Sequence, residues 1–439
     1  MNAFLRAHHI LDQINPICRL GEVVRVAGGI IESRGPALQI GDLCHILTGG
    51  PHRPTAAEVV GFRKDAIILM PLHDTVRIAP GAQVKRFSGG HEVAVGPAFI
   101  GRVVNALGHP IDEKGPILAQ EKRSLVQQAP HPLKRKRIQD PLETGVRAID
   151  GLLTLGQGQR IGIFAGSGVG KSVLLGMIAR YAQADVNVIA LIGERGREVT
   201  EFIEQDLGKD GLAHSVVVVA TSDEMPLMRK KAALLATTLA EYFRDQGMQV
   251  ILMMDSLTRV AMAQREIGLA AGEPPTTRGY TPSTFSFIPR LLERAGRSET
   301  GSITGIYTVL VEGDDMDEPV ADTARGTLDG HIVLSRSLAA RAHFPAIDVL
   351  QSTSRVMPMV VSQEHLQRAQ AIKELMAVYR DAEDLIAIGA YQKGTNPRID
   401  AAISRMDQIN RYLKQSMFEH TAFEDNLAML EKLAQGLTA

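Results

Sequence analysis

Residues 165–172 read AGSGVGKS, and they lie between the apolar run RIGIF and the helix-like run VLLGMIARYA. A glycine-rich turn between a strand and a helix lets successive backbone N–H groups point into one concavity, and the helix adds the positive end of its dipole. Such a cradle suits the phosphates of a nucleotide. Ala165, Gly166, Ser167, Gly168, Val169, Gly170, Lys171 and Ser172 are therefore the candidate nucleotide-binding residues. Lys171 is expected to reach the β- and γ-phosphates, and the Ser172 hydroxyl to ligate Mg²⁺. The strict form of this pattern opens on glycine, where this chain has Ala165. A left-handed alanine would cost about 1 kcal/mol or more, so Ala165 is expected at ordinary negative φ.

Two carboxylates complete the constellation. The run VILMMD ends at Asp255, which is expected to position Mg²⁺ directly or through water. Taken alone this signal is weak, because many strands end in aspartate. The run VIALIG is followed by Glu194, Arg195, Gly196, Arg197 and Glu198. A carboxylate at the carboxyl end of a neighbouring strand faces the crevice where ligands bind in open α/β sheets. Glu194 is thus the candidate for orienting and polarising an attacking water. Arg197 and Glu198 read better as a helix-capping salt-bridge cluster.

The elements that must position these groups can be read from pattern. RIGIF, VNVIALIG, SVVVVATS, VILMMD, ITGIYTVLV and HIVLS are continuous apolar runs separated by helical stretches between about 147 and 355. Strands of that kind, buried on both faces, form a mostly parallel sheet in an α/β domain. Before them, residues 18–88 hold short β-rich segments punctuated by glycine, with AEVVGFRKDAIILMPL reading as a hairpin. A small all-β barrel is expected there. Residues 105–145 are rich in proline, glycine and charge and read as a connection, whose run Lys134-Arg135-Lys136-Arg137 is expected to be solvated.

Beyond 362 the chain turns helical. Ser362 can cap a helix with the apolar face Leu366, Ala369, Ile372, Met376 and Tyr379. Asn396 followed by Pro397 opens a second helix, with Ile399, Ala402, Ile403, Met406, Ile409 and Leu413 on one side. Thr421 to Glu424 has capping-box spacing and is expected to open a last helix ending near Gly436. The division that follows is a segment 1–17, a barrel 18–88, an α/β core 89–361 that includes the connection, and a helical domain 362–439.

Composition is that of an ordinary globular protein, with 439 residues, 45% hydrophobic and 22% charged. A formal net charge of −1 gives no global attraction to nucleic acid or anionic lipid. The start shows no basic region followed by an apolar stretch, and no apolar run reaches the roughly 18 to 20 residues of a membrane helix. A cytosolic protein is expected. Cys18 and Cys44 read as lone, small buried hydrophobes. Residues 1–15 could form a short amphipathic helix through Phe4, Leu11 and Ile14, with disorder an equal alternative.

AGSGVGKSVLLGMIARY, LIGERGREVTEFIE, MMDSLTRVAMAQREI, GEPPTTRGYTPSTFSFIPRLLERAG, EGDDMDEPVAD, LDGHIVLS and FPAIDVLQSTSRV together resemble the flagellar type III protein-export ATPases, which are similar to the catalytic subunit of rotary ATP synthases. SGVGKSVLLGMIARYA and IGAYQKGTNP look more like the flagellar branch than the injectisome branch. The resemblance implies a RecA-like core between an N-terminal β barrel and a C-terminal helical domain, in agreement with the reading above. It implies a homohexameric ring, with ATP and Mg²⁺ held between subunits. It places Glu194 on the catalytic glutamate, Arg195 near the phosphates, Phe344 on an adenine-stacking aromatic, and Arg355 on an arginine finger supplied by the neighbouring subunit. A planar, always-charged guanidinium answers the charge on the transferring phosphoryl group, and such fingers contribute on the order of 10³ to 10⁵ in rate.

The resemblance further implies a stalk-like protein in the ring channel, facing the loops 274–283 and 313–319. A regulatory partner at the N-terminus, an export gate, and export substrates or their chaperones complete the implied partners, at the inner face of the cell membrane. The acidic stretch 313–319 lacks the ligand alternation of an EF-hand and is expected to be a solvated loop. Alternatives are an injectisome secretion ATPase, a synthase subunit that shares its ring with a second chain type, a nucleotide-holding subunit without catalysis, and an RNA translocase. The last is disfavoured by an aromatic content of 4% and a barrel without a run of stacking aromatics.

Overall fold

The computed structural model describes residues 19–47, 54–73, 78–87, 92–119, 121–311 and 315–437. The amphipathic segment expected in residues 1–15 and Cys18 lie outside these residues. Two compact units are present, one made of residues up to Glu92 with Met225–Met228 and Gln264–Pro282, the other of the remainder.

The first unit holds six strands, β1 (Leu20–Ala27), β2 (Ile30–Arg34), β3 (Leu43–Leu47), β4 (Thr55–Arg63), β5 (Ala66–Pro71) and β6 (Gln83–Phe87); β2, β3 and most of β4 alternate buried and more exposed positions, whereas β5 is buried from Ile67 to Pro71. They close into a barrel in the order β1-β2-β5-β4-β3-β6. Closure removes the unpaired strand edges that a small open sheet would expose. Val23, Ile31, Cys44, Ile46, Val59, Leu69 and Val84 fill it. Burial pushes the Cys44 thiol up to about 12, so it behaves as the inert hydrophobe expected. The expected hairpin is β4–β5, turning through Lys64 at φ 52°.

The second unit is built on β7 (Arg102–Asn105), β8 (Arg160–Ala165), β9 (Val186–Ile192), β10 (Ser215–Ala220), β11 (Gln249–Asp255), β12 (Ser302–Leu310), β13 (Gly330–Leu334) and β14 (Ile347–Ser354). The sheet order is β14-β13-β8-β12-β11-β9-β10-β7, with a ninth short strand, Gly296–Arg297, beside β12. Along that path every pairing is parallel except β13 with β14, so β14 alone runs against the other seven strands. Every residue of β9 and of β10 is buried, which is what their uninterrupted apolar runs require. Chain order reverses around β8, so α1 (Lys171–Tyr181), α2 (Gly196–Glu201) and α3 (Leu257–Ala271) follow β8, β9 and β11, three strands near the centre of the sheet.

The helical end packs as α4 (Gln363–Ala387), α5 (Pro397–Leu413) and α6 (Phe423–Ala434). Ser362 caps α4 by accepting the His365 N–H, and Asn396 caps α5 by accepting that of Arg398. Ala369, Ile372 and Met376 are buried as expected. On α5 Ala402, Ile409 and Leu413 are buried and Met406 packs against the core, as expected, whereas Ile403 is 38% exposed and Tyr412 is buried beside them. Thr421 does not cap α6. Its hydroxyl accepts from Arg147 at 3.2 Å, leaving Ala422 at the cap, and α6 ends at Ala434. The competing donor wins because Arg147 is itself buried and must be satisfied: it also donates Nε to the Tyr412 carbonyl at 2.8 Å and pairs with Glu419.

Two other expectations change. Arg135 of the basic run is not solvated: it donates to the Ala295 carbonyl at 2.9 Å and to the Glu293 carboxylate at 3.0 Å, whereas Lys134, Lys136 and Arg137 are exposed. In the acidic stretch, Asp317 is exposed but Glu318 is buried and caps the helix Pro319–Thr327 through the Val320 and Ala321 N–H groups. The loop of residues 274–283 closes on itself, with Thr276 donating both N–H and hydroxyl to the Tyr280 carbonyl at 2.7 Å. Among the described residues no helix is long and apolar enough to cross a membrane.

Candidate active site

The phosphate loop leaves the sheet where β8 lies between β12 and β13. Ala165 pairs with Leu310 on one side and Leu334 on the other and is 1% exposed. Its φ is not positive, as expected, so alanine serves where the pattern has glycine. Gly170 precedes α1 at φ 88°, a left-handed conformation that only glycine takes without strain. No side chain caps α1. The N–H groups of its first turn remain available for an anion.

The loop forms one wall of an open cleft of about 470 Å³. Lys171, Ser172, Glu194, Arg195 and Glu198 all line it, so five side chains from β8–α1 and β9–α2 meet there. Lys171 Nζ stands 2.5 Å from Asp255 Oδ1 and 3.7 Å from Glu194 Oε1. Asp255 is 3% exposed at the end of β11. Burial alone would lower the Lys171 ammonium, but Asp255 and Glu194 outweigh it and hold its pKa above the usual value. Glu194 responds in the opposite sense. Burial first, then the Asp255 carboxylate, push its carboxyl up to about 7 despite the nearby ammonium. Glu194 Oε1 is buried without a hydrogen-bond partner, a costly arrangement for a carboxylate unless an incoming group supplies the missing partner.

Arg195 stands at the rim, 82% exposed, with its guanidinium 3.5 Å from Glu198. Glu198 also accepts the Arg195 N–H at 3.4 Å, so the expected capping cluster forms with Arg195, while Arg197 pairs with Glu201 at 2.7 Å. Phe344 is 46% exposed, and its ring lies 3.6 Å from where a side chain on Gly170 would begin. Arg355 follows β14. It is exposed and makes no side-chain hydrogen bond or ion pair among the described residues, and it does not line this chain's own cleft.

Three contributors escaped the sequence reading. Thr308 of β12 donates its hydroxyl to Asp255 Oδ1 at 2.7 Å. A hydroxyl inside a buried strand was the available signal, since a buried donor needs a partner. Arg259, one turn into α3, lines the cleft and packs where a Gly193 side chain would stand, with Nε unpartnered. Ser222, after β10, lines it too, and nothing in its local sequence marks it.

A triphosphate with a divalent cation fits these residues. The uncapped helix and the ammonium answer negative charge, and Ser172 and Asp255 offer the hard oxygen donors a magnesium ion prefers. Three family descriptions match in chain order: the beta-barrel domain of the ATP synthase alpha/beta family over residues 23–87, the nucleotide-binding domain of that family over 145–354, and the T3SS EscN ATPase C-terminal domain over 361–432. The flagellum-specific ATP synthase of Bacillus subtilis is 56% identical over 94% of this chain and 95% of its own length. The type 3 secretion system ATPase of Xanthomonas euvesicatoria is 50% identical over 94% and 93%. Among solved structures, the assembled ATPase EscN of the enteropathogenic E. coli type III secretion system superposes with a TM-score of 0.90 at 47% identity, covering 94% of this chain and 100% of that one. EscN in complex with its central stalk EscO gives 0.87 at the same identity and coverage. A six-stranded barrel, a RecA-like nucleotide-binding core and a helical C-terminal domain in one chain, at this level of identity, mean that the protein belongs to the ATP synthase alpha/beta family, among its flagellar and type III secretion ATPases.

Proposed function

We propose that this chain hydrolyses MgATP in a homohexameric ring and that the hydrolysis energises flagellar type III protein export. The observation that carries the proposal is the cluster at the cleft floor: one ammonium, Lys171, between two carboxylates, Asp255 and Glu194, of which Glu194 has a buried oxygen with no hydrogen bond among the described residues. Before nucleotide enters, Asp255 and Glu194 balance Lys171. Once a triphosphate occupies the cradle, Lys171 turns to the β- and γ-phosphates. Ser172 and Asp255 would hold the magnesium ion, which when bound would neutralise phosphate oxygens as a Lewis acid.

Glu194 orients the water. It accepts one proton as the water oxygen bonds to the terminal phosphorus and the bond to the β–γ bridging oxygen breaks, yielding ADP and inorganic phosphate. A carboxyl held near neutrality is matched to that proton transfer. Arg355, unpaired among the described residues and absent from the lining of its own cleft, serves the neighbouring subunit's transition state, and Phe344 stacks on adenine. The assembled and stalk-bound states described for EscN support a ring with a stalk-like protein in its channel. The flagellar assignment follows from the 56% identity to the Bacillus subtilis relative.

Glu194→Gln is the deciding variant. Nucleotide binding should persist while turnover falls about 100-fold or more, measured by fluorescent-ADP titration alongside phosphate release. Turnover near the wild-type rate would overturn the mechanism, and loss of binding would show that Glu194 holds the nucleotide rather than the water.

A further inference from the structure

Two helices leave the cleft floor and meet again away from it. α1 opens at Lys171 and runs to Tyr181. α2 opens two residues after Glu194 and continues directly into the π-helical turn Phe202–Leu207. At the cleft the contact between them is Lys171 Nζ to Glu194 Oε1, at 3.7 Å. Further along α1 a second contact forms at Asp206. A side chain on Gly176 would begin 2.7 Å from both the Cβ and the carbonyl oxygen of Asp206, so the two segments approach as closely as a glycine permits. One turn beyond Gly176, Arg180 donates Nη1–H to the Asp206 carbonyl. At about 1.5 Å per residue, that bond lies roughly 14 Å along α1 from Lys171.

A π-helical turn has poorer hydrogen-bond geometry than an α-helical one and is kept where its surroundings hold it. Here Gly208, at φ 68°, interrupts the helix directly after the turn, and a break of that kind leaves carbonyls short of partners. The Arg180 guanidinium supplies a donor at that point, and a cation at the carbonyl end of a helix also answers its dipole. The guanidinium is itself fixed. Nη2 donates to the Met417 carbonyl at 2.5 Å, and the central carbon lies 5.3 Å from the ring centre of Tyr181 and 5.4 Å from that of Phe418. The start of the segment is pinned by backbone: the Gly193 N–H donates to the Ala220 carbonyl at 2.7 Å and the Ser222 N–H to the Glu194 carbonyl at 3.0 Å. Glu194 thus belongs to a segment held at one end by the sheet and at the other by Arg180.

We propose that Arg180 is a positioning residue for ATP hydrolysis. It ties the far end of the segment that follows Glu194 to the helix that carries Lys171 and Ser172, and so fixes the Glu194 carboxylate relative to the terminal phosphate. Arg180 does not line the cleft. It acts through Glu194, and its role rests on the reading of Glu194 as the group that orients water. The effect falls on rate rather than on affinity. The phosphates are held by Lys171 and the N–H groups at the start of α1, which the loss of Arg180 leaves in place, whereas a reacting group displaced by about 1 Å can cost on the order of 100-fold.

The test is a double-mutant cycle on the full chain. Phosphate release and fluorescent-ADP titration are measured for wild type, Arg180→Ala, Glu194→Gln and the double variant. Arg180→Ala should lower kcat about tenfold or more and change the Kd for ADP by less than about twofold. In the Glu194→Gln background the same substitution should cost less than about twofold, because the group it positions is already gone. An unchanged kcat in Arg180→Ala would overturn the proposal. So would an undiminished loss in the Glu194→Gln background, which marks a general packing role, and so would a weakened Kd, which assigns Arg180 to the phosphate loop instead. Arg180→Lys keeps a charge and a donor and should recover part of the lost rate. It carries the same cycle if thermal melts show Arg180→Ala unfolded. Wild-type turnover in Glu194→Gln alone would sink the catalytic reading together with this role for Arg180, whereas the Arg180 outcomes leave the catalytic reading standing.

Discussion

Thr308 donates its hydroxyl to the same Asp255 oxygen that Lys171 reaches, at 2.7 Å and 2.5 Å respectively. The neighbouring strand β12, which lies between β11 and β8 in the sheet, thereby fixes the carboxylate with a second donor. Asp255 is held in place whether or not Lys171 has swung away to a phosphate, so the metal-positioning group is set before the nucleotide arrives. Thr308→Val keeps the shape and removes only the donor. It should destabilise the fold by about 1–2 kcal/mol and raise the Mg²⁺ concentration needed for half-maximal turnover. Thermal melts and a magnesium titration read the two effects, and a wild-type magnesium response would show that Asp255 needs no such prop.

Glu194 makes a pH-dependent prediction. Its folded-state pKa is about 7, above the ordinary 4.5. A raised carboxyl favours the folded state below its unfolded pKa and loses that contribution as pH rises through the folded value. Glu194→Gln does not titrate, so relative to wild type it should gain on the order of 1–3 kcal/mol above pH 7. That gain should fade between about pH 7 and 4.5. Melting curves of both proteins at pH 5 and pH 8 test it, and an advantage that does not grow with pH refutes the desolvated-carboxylate picture.

Arg355 is exposed, unpaired among the described residues and absent from the lining of its own cleft. Lys171→Ala and Arg355→Ala should each lower turnover, the latter by about 10³ or more. Mixing the two inactive proteins should restore part of the activity, because some interfaces then combine an intact Lys171 with an intact neighbouring Arg355. Verified co-assembly with no recovery would assign Arg355 to its own subunit or to none.

Among the four consecutive basic residues, one is structural. Arg135→Ala removes the bonds to the Ala295 carbonyl and the Glu293 carboxylate and should cost about 1–3 kcal/mol. Lys136→Ala and Arg137→Ala, at exposed positions, should stay within about 0.5 kcal/mol of wild type. Equal effects at all three positions in chemical denaturation would contradict the anchored geometry.

Much of the molecule is written in local pattern. Burial of a strand on both faces demands an unbroken apolar run, so β9 and β10 declare themselves, as do the barrel hairpin and the caps Ser362 and Asn396. The phosphate loop is equally local, because a tight turn followed at once by a helix needs its glycines, its lysine and its serine in consecutive positions. Competition between distant partners decided the rest. Thr421 has the spacing of a cap, yet Arg147, far away in the chain, claims its hydroxyl. Arg135 looks solvated until Glu293 and Ala295 are brought beside it, and Thr308 looks like one more strand residue until β11 sets Asp255 at its side. Sequence alone determined which backbone shapes form and which residue types could do chemistry. Only the tertiary structure decided which buried donor met which acceptor, because a buried polar group takes the best partner in space rather than the nearest in the chain.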